Sequence, residues 1–588
     1  MKKRVFSMIT LLGMMVICLS FQLTVCAASD YSTLIIAGDQ DFVIHESCSN
    51  GDYVGQIQYY SNLKPDITHV AYVAAGGDTS VFNVSPDGLI TVASASSIVY
   101  DNNKAHHLVV RIEGLWKGYS VGADIKVKIA VLDDDKTIFV DPSASENGNG
   151  TIESPYNHLP GFSPYTKKNG IANMTNCLFK RGTTLELNHN FNVSGSNGLL
   201  GAYGQGDKPQ LSLHMDRTND KTKQTTSRII VFNKCTDYTV RELCIGSSAL
   251  FENEKADKKW PLNALIFMGS EFENIRVVHN EIKHAWTGLY VCTYDSMPNS
   301  DRIEAAYNYV HDVREDGFFL KRIDNMNIYG NIIERVNYNY EFEGPSQDLA
   351  PGDCIQLAGS DKVRVHHNYL DRTDNGHKFC YINSPENSQF TDEFEYNYCV
   401  GNEKLGCLVY LIDGNFTVRN NVFTNCIRGV CTEGGKNSTI AVYGNSFSNI
   451  SDIAFNHKGL DEATIYNNTF YNNGVGVNVM SAPAAIQNNI FYLTQQDHKA
   501  INYYGPELNS DYNLFNLQKP ANEGNHSITG DPAFADAETG NFILKSSSAA
   551  IDKGSYDIVK HIKQDAYGTA LPQGTGVDIG AYEYAGTP

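Results

Sequence analysis

Between residues 264 and 491 one arrangement of apolar and polar positions keeps returning: apolar, two variable residues, asparagine, one variable residue, apolar. It reads VVHNEI, AAYNYV, IYGNII, VHHNYL, VRNNVF, VYGNSF, IYNNTF and IQNNIF, with a looser copy in EYNYCV. The asparagine falls at Asn280, Asn308, Asn331, Asn368, Asn397, Asn421, Asn445, Asn468 and Asn489, in steps of 28, 23, 37, 29, 24, 24, 23 and 21 residues. Steps of 21 to 24 with occasional excess describe a fixed coil with loops inserted at one place.

The coil is legible in GFFLKRIDNMNIYGN (317–331) and CIQLAGSDKVRVHHN (354–368), which align without a gap. Each predicts strand, turn, strand, turn. Phe318 and Leu320 alternate with Phe319 and Lys321, as a strand with one buried face requires. Asn331 and Asn368 are expected at a sharp corner, in left-handed backbone, with each amide bonded to its equivalent one coil above and below. The coils are rich in Val, Ile, Tyr and Thr and leave no room for a helix, which excludes leucine-rich and ankyrin arrays. A parallel β-solenoid remains.

With these repeats the chain resembles the right-handed parallel β-helix superfamily, which includes pectate lyases, the chondroitinase B and alginate lyase group and polygalacturonases. The resemblance runs over 137–584 and speaks for the fold more than for a substrate. The predicted fold is all-β: a right-handed parallel β-helix over 136–505, closed by a β-helix end and cap over 506–588, and preceded by a small β-sandwich over 29–135. That first module resembles a cadherin-type domain through Glu46, the FNVSPDGLIT core, Tyr100-Asp101-Asn102 and Asp133-Asp134-Asp135. The resemblance implies calcium at the acidic joint; the plainer reading is a spacer with a solvated acidic end. Residues 1–28, with Lys2, Lys3 and Arg4 before an apolar run, read as a secretory signal, so the expected location is extracellular, with association at the cell surface as the alternative.

Charge narrows the partners. A formal net charge of -20 disfavours nucleic acid, and no other stretch has about 20 consecutive apolar residues to span a membrane. Most of the 13 cysteines lie beside apolar residues and form no C-x-x-C pair, so buried thiols are expected rather than a metal or redox site. A monomer acting on a polysaccharide is the expectation.

Equivalent positions in successive coils form columns about 4.8 Å apart. Asp316 falls beside Asp353, and aligning Phe379 with Phe318 adds His377, with Glu315 and Lys378 adjacent. Insertions at 338–351 and 384–391 cluster nearby. Two stacked carboxylates repel, so one takes a proton, binds a cation or splays away. Lys321 and Arg322 form a second candidate about 16 Å along the strand; DGFFLK loosely resembles the base-carrying segment of the chondroitinase B group, without that group's R-H-G motif. Glu433 is a further acid, Trp286, Tyr290, Phe319 and Tyr381 are candidate sugar platforms, and Gln356 a candidate polar contact. At most one of His366 and His367 is expected to be accessible.

The favoured expectation is a lyase that cleaves a uronate-containing glycan by β-elimination, with Ca²⁺ on Asp316, Asp353 and Glu315 and Lys378, His377 or Lys321 as base. The alternatives are a glycoside hydrolase using Asp316, Asp353 or Glu433, and a non-catalytic adhesin or glycan-binding protein. Residues 301–400 carry nine Lys or Arg against eighteen Asp or Glu, so a bare groove there repels uronates.

Overall fold

The computed structural model describes residues 38–59, 67–116, 119–159, 176–187, 190–213, 228–246, 263–269, 272–313, 315–336, 352–373, 378–402, 406, 408–435 and 437–586. The expected signal, the 338–351 insertion and His377 lie outside these residues. No described helix is long and apolar enough to cross a membrane.

From residue 137 onward the chain winds as an all-β parallel solenoid whose coils stack strand on strand. Each coil has three faces. In one coil the first face is Phe318–Lys321, the second Ile323–Tyr329 and the third Ile332–Val336; in the next, Asp353–Ala358, Arg364–His366 and Tyr369–Asp371 lie over them in parallel register. The third face is a 14-stranded sheet. Inside, apolar residues stack on their own kind: Phe394, Phe423, Phe447, Phe470, Phe491 and Phe515 form a continuous pile with neighbouring ring centroids 4.9 to 6.2 Å apart. The described cysteines of the array are free, and nearly all are buried.

The recurring asparagines stand at the corner between the second and third faces. From Asn280 to Asn489 each side-chain amide donates to the carbonyl oxygen of its equivalent in the next coil, at 2.9 to 3.1 Å. Asn513 extends the ladder by one further rung. All ten are almost fully buried, so every donor must be used internally. One detail of the expectation is corrected: the left-handed residue is the one before the asparagine, as at Gly330, His367, Asn420 and Asn467. That placement turns the chain and aims the following amide inward. At Gly330 an added Cβ would meet the Tyr307 ring at 2.7 Å.

The N-terminal residues form a four-stranded sheet (Gln40–His45, Tyr119–Leu132, Ala105–Trp116, Ile67–Gly77) and a three-stranded one (Tyr53–Gln56, Leu89–Val92, Phe82–Val84) around Phe42, Ile90, Val110 and Ile125. This module is docked on the second face. Arg276 bridges Asp41 and Glu304 at 2.7 Å each, and the buried Arg241 donates to the Asp41 carbonyl at 2.6 Å. Burial would raise the Asp41 pKa, but the Arg276 hydrogen bond and the charges of Arg241 and Arg276 overcome it and hold the carboxyl well below its ordinary range. Glu46 and Asp134 of the acidic joint are bonded within the module, Glu46 accepting from the Asp134 N–H and Asp134 from the Ser47 N–H.

The C-terminal segment turns back along the solenoid. Phe534–Asp536 and Asn541–Leu544 pair as a hairpin beside Tyr471 and Tyr492 on the third face. Further on, the Asn467 amide donates to the carbonyls of Asp578 and Gly580 at 3.1 Å.

Candidate functional site

The first face carries an outward row set by strand register. Tyr290 pairs with Phe319, then Gln356, Tyr381 and Tyr410 follow in successive coils. The row continues through Cys431, Asn456, Asn478 and Asn502. Tyr290 and Phe319 stack at 4.9 Å with 11° between their planes, and the Asn478 amide donates to Asn456 at 2.8 Å. The four residues expected to contact substrate from separate coils, Tyr290, Phe319, Gln356 and Tyr381, thus stand in one line. Tyr410 and the asparagines beyond it were not singled out from the sequence. Their signal was available, because register carried forward from Tyr381 reaches them.

At the start of the first-face strands the register stacks Asp316, Asp353 and Lys378. Lys378 thus stands in the place the sequence alignment gave to His377, which lies outside the described residues. The Asp353 N–H donates to Asp316 Oδ1 at 2.8 Å, and Lys378 Nζ lies 3.5 Å from Asp353 Oδ2. Asp316 is 3% exposed and Asp353 1%. Burial, and then the charge of Asp353, push the Asp316 pKa well above the usual carboxylate range. The repulsion thus favours the protonated form of Asp316, and Lys378 stands against Asp353.

Glu315 is the half-buried acid of this end. Burial raises its pKa; hydrogen bonds from the Trp286 and Thr287 side chains favour its charged form, and the Asp353 charge adds to the rise. Its backbone N–H donates to the Trp286 carbonyl at 2.7 Å, as expected of residues in equivalent positions of adjacent coils. Trp286 therefore stands with Glu315 rather than in the Tyr290 row. Lys378 lies 5.3 Å from the Tyr381 ring centroid, which ties the acid end to the aromatic row.

The other candidates lie apart from this end. Lys321, at the far end of its strand, pairs with Asp295 at 2.9 Å, and Arg322 donates to the Met297 carbonyl at 2.6 Å. Glu433 shares the column of Lys321, four coils and about 19 Å away; it accepts from the Tyr410 hydroxyl and pairs with Lys458 at 3.2 Å. His366 and His367 are both buried and face each other at 2.7 Å, so neither is accessible, within the expectation of at most one. The 384–391 insertion follows the first-face strand Lys378–Asn383, at the edge opposite Asp353.

Calcium takes six to eight oxygen ligands. Asp316 already accepts a backbone N–H and has its pKa pushed up, Asp353 faces Lys378, and among the described residues no three His, Cys, Asp or Glu side chains converge to hold a metal. The donor set does not fit calcium, and no step is derived through it.

The family described as "Periplasmic copper-binding protein (NosD)" matches residues 341–526. Among the described residues of that stretch, the cysteines lie in the core and the adjacent histidines His366 and His367 bond to each other. No curated protein matches the chain. Among solved structures, the GH136 lacto-N-biosidase from Eubacterium ramulus (selenomethionine derivative) is 12% identical, with 63% of this chain and 67% of that chain covered and a TM-score of 0.34. The complex of XylC with xylose is 9% identical over 76% of this chain and 99% of that chain, with a TM-score of 0.40. The human Desmocollin-1 ectodomain is 17% identical over 19% of this chain and 23% of that chain, with a TM-score of 0.15.

Proposed function

We propose that the protein is a secreted carbohydrate-active enzyme that hydrolyses glycosidic bonds in a neutral glycan laid along the first face, with the cadherin-like module as a docked spacer. The observation that carries this is Glu315, a half-buried acid with a raised pKa beside Trp286, four residues before Phe319 of the aromatic row. Aromatic faces hold sugar rings, and an acid that keeps its proton can protonate a leaving oxygen. In this reading Glu315 gives its proton to the glycosidic oxygen as the bond to the anomeric carbon breaks. Water adds to that carbon, and its proton returns to the Glu315 carboxylate. Asp353 acts on Glu315, and Lys378 balances Asp353.

A lyase acting on uronates has less support, because the candidate acids do not fit calcium and residues 301–400 are strongly acidic. Non-catalytic glycan binding is the second reading, favoured by the near-complete burial of Asp316 and Asp353. The test is a panel of neutral and acidic glycans, with and without chelator, read for reducing ends and for the ultraviolet absorbance of an unsaturated product. Reducing ends without absorbance, unchanged by chelator, are expected. Absorbance lost with chelator would restore the lyase; binding without cleavage would establish the second reading.

A further inference from the structure

Beyond Tyr410 the outward row of the first face changes from rings to amides. Asn456, Asn478 and Asn502 stand over one another in parallel register. The Asn478 amide donates to Asn456 at 2.8 Å, and the Asn456 amide to Cys431 Sγ at 3.8 Å. Asn502 closes the row, half-buried and with no side-chain partner among the described residues. From Phe319 to Asn502 the row crosses seven coil steps, about 34 Å.

A second observation sets apolar surface beside those amides. Met480 and Tyr504 follow directly on the strands of Asn478 and Asn502 and are 46% and 69% exposed. They lie in adjacent coils, the Met480 N–H donating to the His457 carbonyl at 3.1 Å and the Tyr504 N–H to the Val479 carbonyl at 2.9 Å. Each stands two residues after an asparagine of the row, so ring, thioether and amides share one side of the sheet. The flanking cations Lys458 and Arg428 are each matched by an acid, Glu433 at 3.2 Å and Asp452 at 2.8 Å.

We infer that these last coils are a distal subsite for the same neutral glycan, where Tyr504 covers a sugar face and the Asn456 and Asn502 amides bond hydroxyls, so that the substrate is a long chain. The inference rests on the reading that a neutral glycan lies along the first face. A pyranose presents apolar C–H faces with donors and acceptors around its edge, which matches an open ring beside free amide groups. One chain that reaches both the aromatic stretch and the amide stretch gains affinity from the second contact, because that contact is then intramolecular.

The test is calorimetric binding of two-unit and eight-unit oligosaccharides of xylose, glucose and galactose to the full chain carrying Glu315→Gln, so that affinity is read apart from cleavage. Tyr504→Ala and Asn502→Ala alter the distal coils, and Tyr381→Ala alters the aromatic stretch; unchanged melting curves establish that each variant is folded. For at least one sugar the eight-unit chain should bind about tenfold more tightly than the two-unit one. Tyr504→Ala and Asn502→Ala should each remove several-fold of that gain and leave the two-unit affinity unchanged, while Tyr381→Ala weakens both. No binding of any eight-unit chain, equal affinity at both lengths, a gain that survives Tyr504→Ala and Asn502→Ala, or an equal loss for both lengths in those two variants would overturn the inference. Hydrolysis at Glu315 fails on a different result, the absence of reducing ends from wild type, so the two proposals fail separately.

Discussion

Asp316 keeps its proton to higher pH than an ordinary aspartate because its carboxyl lies out of water beside Asp353, while its Oδ1 accepts the Asp353 N–H. An amide reproduces that protonated acid. Asp316→Asn should therefore fold with little loss at neutral pH, whereas Asp316→Ala leaves a buried N–H unpaired and should cost about 1–3 kcal/mol in urea unfolding. The sign with pH follows from the raised pKa. The contribution of Asp316 is full below the ordinary aspartate pKa and is lost as pH rises through its folded value. Wild type should lose stability relative to Asp316→Asn as pH increases; a constant difference would mean that Asp316 is charged throughout. The pairing of Asp316 with Asp353 is legible in the chain because two gapless coils fix it. The next step is not. Phe379 and Cys380 are both fully buried, so apolar pattern alone does not decide which of them stands in the place of Phe318, and the one-residue difference exchanges His377 for Lys378.

The asparagine ladder holds each coil to the next. Asn421 accepts the Asn397 N–H and side-chain amide, and donates to the Phe394 carbonyl and to Asn445, all at 2.8 to 3.1 Å. Asn421→Ala should cost about 3 kcal/mol or more, because several buried partners lose their bonds together. Gln389→Ala, at an exposed bond to the Asn387 carbonyl, should stay within about 0.5 kcal/mol; equal losses in chemical denaturation would remove the ladder's special role. The ladder is legible because one residue type recurs at one step. The returning C-terminal segment is not, since a contact such as Asn467 with Asp578 spans 111 residues with no local pattern. Its buried carboxyls Asp565, Asp578 and Glu583 are pushed up to about 6, 6 and 7, chiefly by burial. Their stabilisation is full below the ordinary carboxylate pKa and is lost as pH rises through 6 to 7. Hydrogen exchange, corrected for its intrinsic pH dependence, should show the segment opening more readily at pH 8 than at pH 5, and Glu583→Gln should reduce the difference. Equal protection at both pH values would contradict the assignment.

Across the molecule, the N-terminal module occupies the second face and the C-terminal segment reaches the third, while the aromatic row stands on the first. The sequence shows the solenoid and the residues of that row, but not this division of faces, because the Asp41–Arg276 pair joins positions 235 residues apart. With a net charge of -20, attraction favours neutral glycans over polyuronates, and the charge penalty on a polyuronate should ease as salt is added. The most direct measurement compares wild type with Glu315→Gln on a neutral glycan that both bind, reading reducing ends and affinity together. Wild type should release reducing ends, with a rate falling as pH rises through the raised Glu315 pKa, while Glu315→Gln binds comparably and releases them about 10²-fold more slowly or less. Equal release by the two proteins, or none by wild type on any glycan it binds, would contradict hydrolysis at Glu315.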